Sequence, residues 1–125
     1  MLAFLTLPHA AMADEVLKQA QALIEQNNNQ EAFNLLAPLE NDRAGTPAYD
    51  LLLGICAVES GQNTRGVFAL ERVLAQEPKN TRARAEIARA YLALGETDTA
   101  RAEFTTVRQQ DIPDEVARTV DYYLD

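Results

Sequence analysis

The apolar positions of this chain return at a fixed interval of 34 residues. In blocks that begin at Ala13, Pro47 and Thr81, the eighth residues are Ala20, Gly54 and Ala88, and the twentieth are Ala32, Gly66 and Ala100. The eleventh are Leu23, Ala57 and Tyr91; the twenty-fourth are Leu36, Leu70 and Phe104; the twenty-seventh are Leu39, Val73 and Val107. Small residues recur where two helices must approach closely, and larger apolar ones where a core needs filling. Self-similarity at such a period is the signature of stacked structural repeats.

Each block divides into two helices of about 12 to 14 residues. Asn27 to Asn29, Gly61 to Asn63 and Gly95 to Thr97 separate them at equal intervals. Glycine or asparagine there can adopt the left-handed conformation that ends a helix. Asn29, Thr64 and Thr97 are the expected caps of the second helices. Between blocks, Thr46 caps and Pro47 opens the next helix, and Pro78-Lys79-Asn80 does the same before the third block. Pro38 falls inside the second helix of block one and predicts a kink or an early end there. Beyond Ile112-Pro113, the residues Ile112, Val116, Val120, Tyr123 and Leu124 form one apolar stripe on a further helix, which would cover the end of block three.

In spacing and in residue type these blocks resemble the tetratricopeptide repeat (TPR) family. Block two carries Leu53-Gly54, Gly61, Gly66, Leu70 and Pro78; block three carries Ala88, Tyr91, Gly95, Ala100 and Phe104. The aromatic usual at position four is replaced by Val16, Asp50 and Arg84, and Gln19 stands where leucine is usual, which makes block one the most degenerate. The resemblance implies an all-α TPR solenoid of three antiparallel helix pairs plus a C-terminal capping helix. The domain is expected over 14–125, with repeats at 13–46, 47–80 and 81–112 and the capping helix at 114–125.

Composition narrows the function. With 47% hydrophobic and 24% charged residues, the chain can pack a core. Its net charge of -8 repels polyanions, so nucleic acid is not an expected partner. Cys56, the one cysteine, sits in an apolar run and reads as a buried small hydrophobe, since the one histidine, His9, is in a terminal segment. Ser60 has no usable base beside it. Carboxylate pairs such as Glu59 with Asp50 lie on an acidic, solvated surface, with nothing to raise a pKa. No phosphate-cradling loop and no Cys/His metal spacing is present. A non-enzyme without cofactor or metal is expected.

Residues 1–13, MLAFLTLPHAAMA, are uncharged and apolar, ending in Ala11-Met12-Ala13. This reads as the end of a secretory signal peptide without its basic segment, or as an apolar helical extension packed on the first repeat. The run is too short to span a bilayer, so direct membrane insertion of the mature domain is not expected. The first reading makes the protein periplasmic; the second leaves the cytoplasm as the alternative.

The family resemblance implies an inner groove lined by positions two, five, nine, twelve and thirteen of each block, able to take a protein or peptide partner. Leu17, Gln21 and Ile24 fall there in block one, Leu51, Ile55 and Val58 in block two, and Arg82, Arg89 and Leu92 in block three. The aliphatic set Leu51, Ile55 and Val58 is either a docking stripe or a surface covered by a neighbouring helix. Arg82 and Arg89, seven apart, could meet an acidic segment or be ordinary solvated charge. A two-carboxylate clamp of the chaperone-binding kind needs lysine and asparagine where Leu17 and Gln21 stand, so that specificity is not expected.

The stretch from Ala83 to Leu124 further resembles the periplasmic repeat domain of the bacterial surface lipoprotein assembly modulator family. There a Pro-x-x-Val-x-x-x-Val/Ile-x-x-Tyr/Phe-Leu pattern precedes an outer-membrane barrel, and Pro113, Val116, Val120, Tyr123 and Leu124 match it. That resemblance implies a periplasmic adaptor in outer-membrane or lipoprotein assembly, fused to or associated with a barrel. The alternative is a general TPR scaffold or adaptor in another compartment, or a spacer in a larger protein.

Overall fold

The computed structural model describes residues 9–124, with side chains from Glu15 onward. Residues 1–8, the larger part of the apolar segment, lie outside the described residues. Among the described residues eight α-helices follow one another: α1 (His9–Glu25), α2 (Asn29–Leu36), α3 (Glu40–Arg43), α4 (Pro47–Glu59), α5 (Asn63–Gln76), α6 (Thr81–Ala93), α7 (Thr97–Arg108) and α8 (Asp114–Leu124). A short 3-10 turn, Ala37–Leu39, joins α2 to α3. Pro38 lies within it, and α2 stops at Leu36 as the missing N–H requires.

Within each pair the same turn is built three times. Asn27, Gly61 and Gly95 all have positive φ, at 65°, 86° and 84°. The amides one residue on, in Asn28, Gln62 and Glu96, reach back to the carbonyls of Leu23, Ala57 and Tyr91 at 2.7, 2.8 and 2.8 Å. These are Schellman turns, which satisfy the last carbonyls of the first helix while reversing the chain. They leave one linking residue, so Asn29 and Thr97 are the first residues of α2 and α7 and Thr64 is the second of α5. The expected caps therefore shift: none of the preceding Asn28, Gln62 and Glu96 makes a side-chain cap. Their carbonyls instead accept the amides of Ala32, Gly66 and Ala100. Thr46 does precede Pro47 but makes no side-chain cap, whereas Asn80 Oδ1 accepts from the Ala83 amide at 2.9 Å.

The small residues at positions eight and twenty are buried in all three pairs. A Cβ at Gly66 would stand 2.7 Å from Val58 Cγ2, so α4 and α5 touch backbone to side chain there. Three apolar clusters run along the molecule. Phe33, Leu36, Tyr49 and Leu53 centre the first, Leu70, Val73 and Ile87 the second, and Phe104, Val107, Val116 and Val120 the third. Each cluster joins a helix pair to the first helix of the next, so no pair is packed alone. In the last, the stripe read on the terminal helix is what covers α7, with Tyr123 stacked on Phe104 at 5.0 Å between ring centroids.

Candidate protein-binding site

The first helices α1, α4, α6 and α8 touch one another in succession, while α2, α5 and α7 wedge behind and between them. That asymmetry places the first helices on the inner surface of the stack, where the groove positions lie. In block one, Leu17 and Ile24 are half-buried on the first core cluster, and Gln21 is exposed and donates to Glu25. In block two, Val58 belongs to the core shared with Ala83, Ile87 and Ala90 of α6, Leu51 packs against that core, and Ile55 is 6% exposed. The α6 helix thus covers much of the aliphatic stripe.

The two arginines are not free charges. Arg82 pairs with Glu86 at 3.1 Å and with Glu115 of α8 at 2.9 Å. Arg89 pairs with Glu86 at 2.8 Å and with Glu59 of α4, and donates from Nε to the Tyr123 hydroxyl. Glu86 is 3% exposed, held between guanidiniums one turn away on either side. Although burial opposes its charge, Arg89 is held above the ordinary arginine pKa by Glu59, Glu86 and Tyr123. It stays a cation and ties α4, α6 and α8 together.

A second network lies behind the groove. Fully buried Asp50 accepts from Arg72 at 2.9 and 3.1 Å and from the Gly45 amide at 2.8 Å, and Arg72 continues to Glu40. Arg84 pairs with Glu103. Asp50 and Arg84 stand where the repeat pattern has an aromatic, and ion pairs replace the ring contact at both. The carboxylates Asp50 and Glu59 are held in these separate networks, and among the described residues no group of metal-ligating side chains gathers.

On the inner surface a cavity of about 380 Å³ opens between α4, α6 and α8. Val58, Glu59, Asn63, Arg89, Leu92 and Tyr123 line it, and Leu92 is 37% exposed. Three of the expected groove residues, Val58, Arg89 and Leu92, therefore meet, and Tyr123 joins them unforeseen. Its signal was available: Gln21, Ile55, Arg89 and Tyr123 are each 34 residues apart. The α8 helix continues the register of the first helices, which puts Thr119 and Tyr123 at the fifth and ninth positions of a fourth block.

A sequence profile for the tetratricopeptide repeat matches residues 57–119, about half of the chain. The chain belongs to the tetratricopeptide repeat family. It is a non-catalytic module for interaction between proteins. In three dimensions it is similar to the Sgt2 TPR domain of Aspergillus fumigatus, with a TM-score of 0.72 at 15% identity, over 90% of this chain and 76% of that one. At that identity the likeness shows the fold alone. No curated protein matches the chain.

The expected periplasmic location is corrected by these findings. The structural likeness is to a fungal TPR domain. The small-residue run that suggested export is, from His9 onward, backbone of α1. Apolar composition is common to export signals and helices, so it carries no address here. Among the described residues no helix is long and apolar enough to cross a membrane.

Proposed function

We propose that this TPR module is a general adaptor that holds a peptide segment of a partner protein against its first helices, with Leu92 as the apolar anchor. The cavity between α4, α6 and α8 carries this reading. There an expected groove residue is exposed, apolar and beside a concavity. The narrower relation to lipoprotein assembly modulators rests on Pro113, Val116, Val120, Tyr123 and Leu124. Packing of α8 accounts for most of that pattern without any assembly role, because Val116 and Val120 are buried and Tyr123 stacks on Phe104.

A test is to pan a displayed peptide library on the full chain and measure the selected peptides against two variants. Leu92→Ser should weaken binding about fivefold or more, the worth of part of one leucine's burial. Phe68→Ser, which removes a ring 56% exposed on α5, should leave it unchanged. The reverse pattern would move the binding surface to the second helices.

A further inference from the structure

Beside the groove cavity lies a second cleft, of about 380 Å³, lined by Arg89, Arg118, Thr119, Tyr122 and Tyr123. Among the described residues no carboxylate lines it, on a chain with 19 acidic residues. Arg118 has no ion pair among the described residues, while Arg89 is already engaged by Glu59 and Glu86. Tyr122 is 79% exposed and meets Tyr123 edge to face at 5.0 Å. It stands 34 residues after Ala88, at the position where the three repeats keep a small residue buried against a second helix.

We propose that this cleft binds one acidic side chain of the peptide that the groove holds, with Arg118 as the residue that pairs with it. The inference rests on the groove reading and adds a chemical class to it. A guanidinium with no ion pair among the described residues, beside an exposed phenol, suits a carboxylate, which Arg can grip with two parallel hydrogen bonds. The two cavities share Arg89 and Tyr123 as wall residues, so a segment held in one lies within reach of the other. A single acidic residue in an apolar context fits better than an acidic run, because the net charge of -8 repels a polyanion while one local pair survives screening.

The probe is a short fluorescent peptide of leucine and serine with one central glutamate, blocked at both ends, beside the same peptide with glutamine. Anisotropy with the full chain should show the glutamate peptide binding about tenfold more tightly, as a charge-assisted hydrogen bond gives. Arg118→Ala should erase that preference without changing binding of the glutamine peptide, and Arg118→Lys should keep part of it. Leu92→Ser should weaken both peptides alike and so reports on the groove separately. Equal binding of the two peptides, a preference that survives Arg118→Ala, or no binding of the glutamate peptide would overturn the assignment of the cleft. In the first two of these cases, a persisting effect of Leu92→Ser would leave the groove reading standing.

Discussion

At Gly66 two opposing tendencies can be weighed against each other. Alanine is the better helix former by about 1 kcal/mol, yet its Cβ would meet Val58 Cγ2 at 2.7 Å and the Gly54 carbonyl at 3.3 Å. Overpacking of this kind costs about 1–3 kcal/mol, so Gly66→Ala should lower the urea midpoint despite the propensity gain. Cys56 shows burial acting on chemistry. Its thiol is pushed up to about 12 by desolvation, from 9.0, and should react with a thiol reagent only after denaturation. Tyr49 is raised to about 12 from 10.0, first by burial and then by the charges of Glu40 and Asp50, and its hydroxyl donates to the Leu36 carbonyl. Both groups hold their protons more tightly when folded. Their contribution is complete below pH 9 and is lost as the pH rises toward 12. The urea midpoint should begin to fall as pH passes 9 and fall faster past 10; Cys56→Ala should remove the earlier part.

Among the elements, α8 is the most dependent on its neighbours. It is amphipathic, it buries Val116 and Val120, and its last turn is held by Tyr123 against Phe104 and Arg89. Tyr123→Ala should cost about 2–3 kcal/mol, near the low end for an aromatic truncation because the ring is half-buried. Amide exchange in α8 should then speed up while α1 and α2 stay protected, since those helices pack in a different cluster. The repeated Schellman turns explain why elements were readable from the chain: an asparagine or glycine at a fixed offset has a local cause. The cap assignments at Asn29, Thr64 and Thr97 slipped for the same local reason, because such a turn satisfies carbonyls of the outgoing helix and leaves room for only one linking residue.

Across the whole molecule, Arg89 connects the second pair, the third pair and α8 through Glu59, Glu86 and Tyr123. Arg89→Met keeps most of the packing stem but frees Glu59 and leaves nearly buried Glu86 with Arg82 alone. A loss of about 2–3 kcal/mol is expected, below the range for a fully buried pair because Arg89 is partly solvated. The unfolding transition should also become shallower, because stability in a stacked array is carried between neighbours and this residue spans three of them.

The 34-residue period was enough to set the helices, their turns, the small residues at their closest approach and the apolar residues of the core. Those features depend on contacts inside one repeat or across one junction, so the same spacing recurs and can be read. Which groove positions stay open was decided by the stacking. Ile55 and Val58 look like Leu92 in the pattern, yet both are buried, Val58 against α6, while Leu92 stays exposed. Arg82 and Arg89 look like free charge until partners 30 to 34 residues away are brought against them. Such pairings follow from how each repeat rotates on the last, and that rotation is a property of the packed solenoid, not of any one segment.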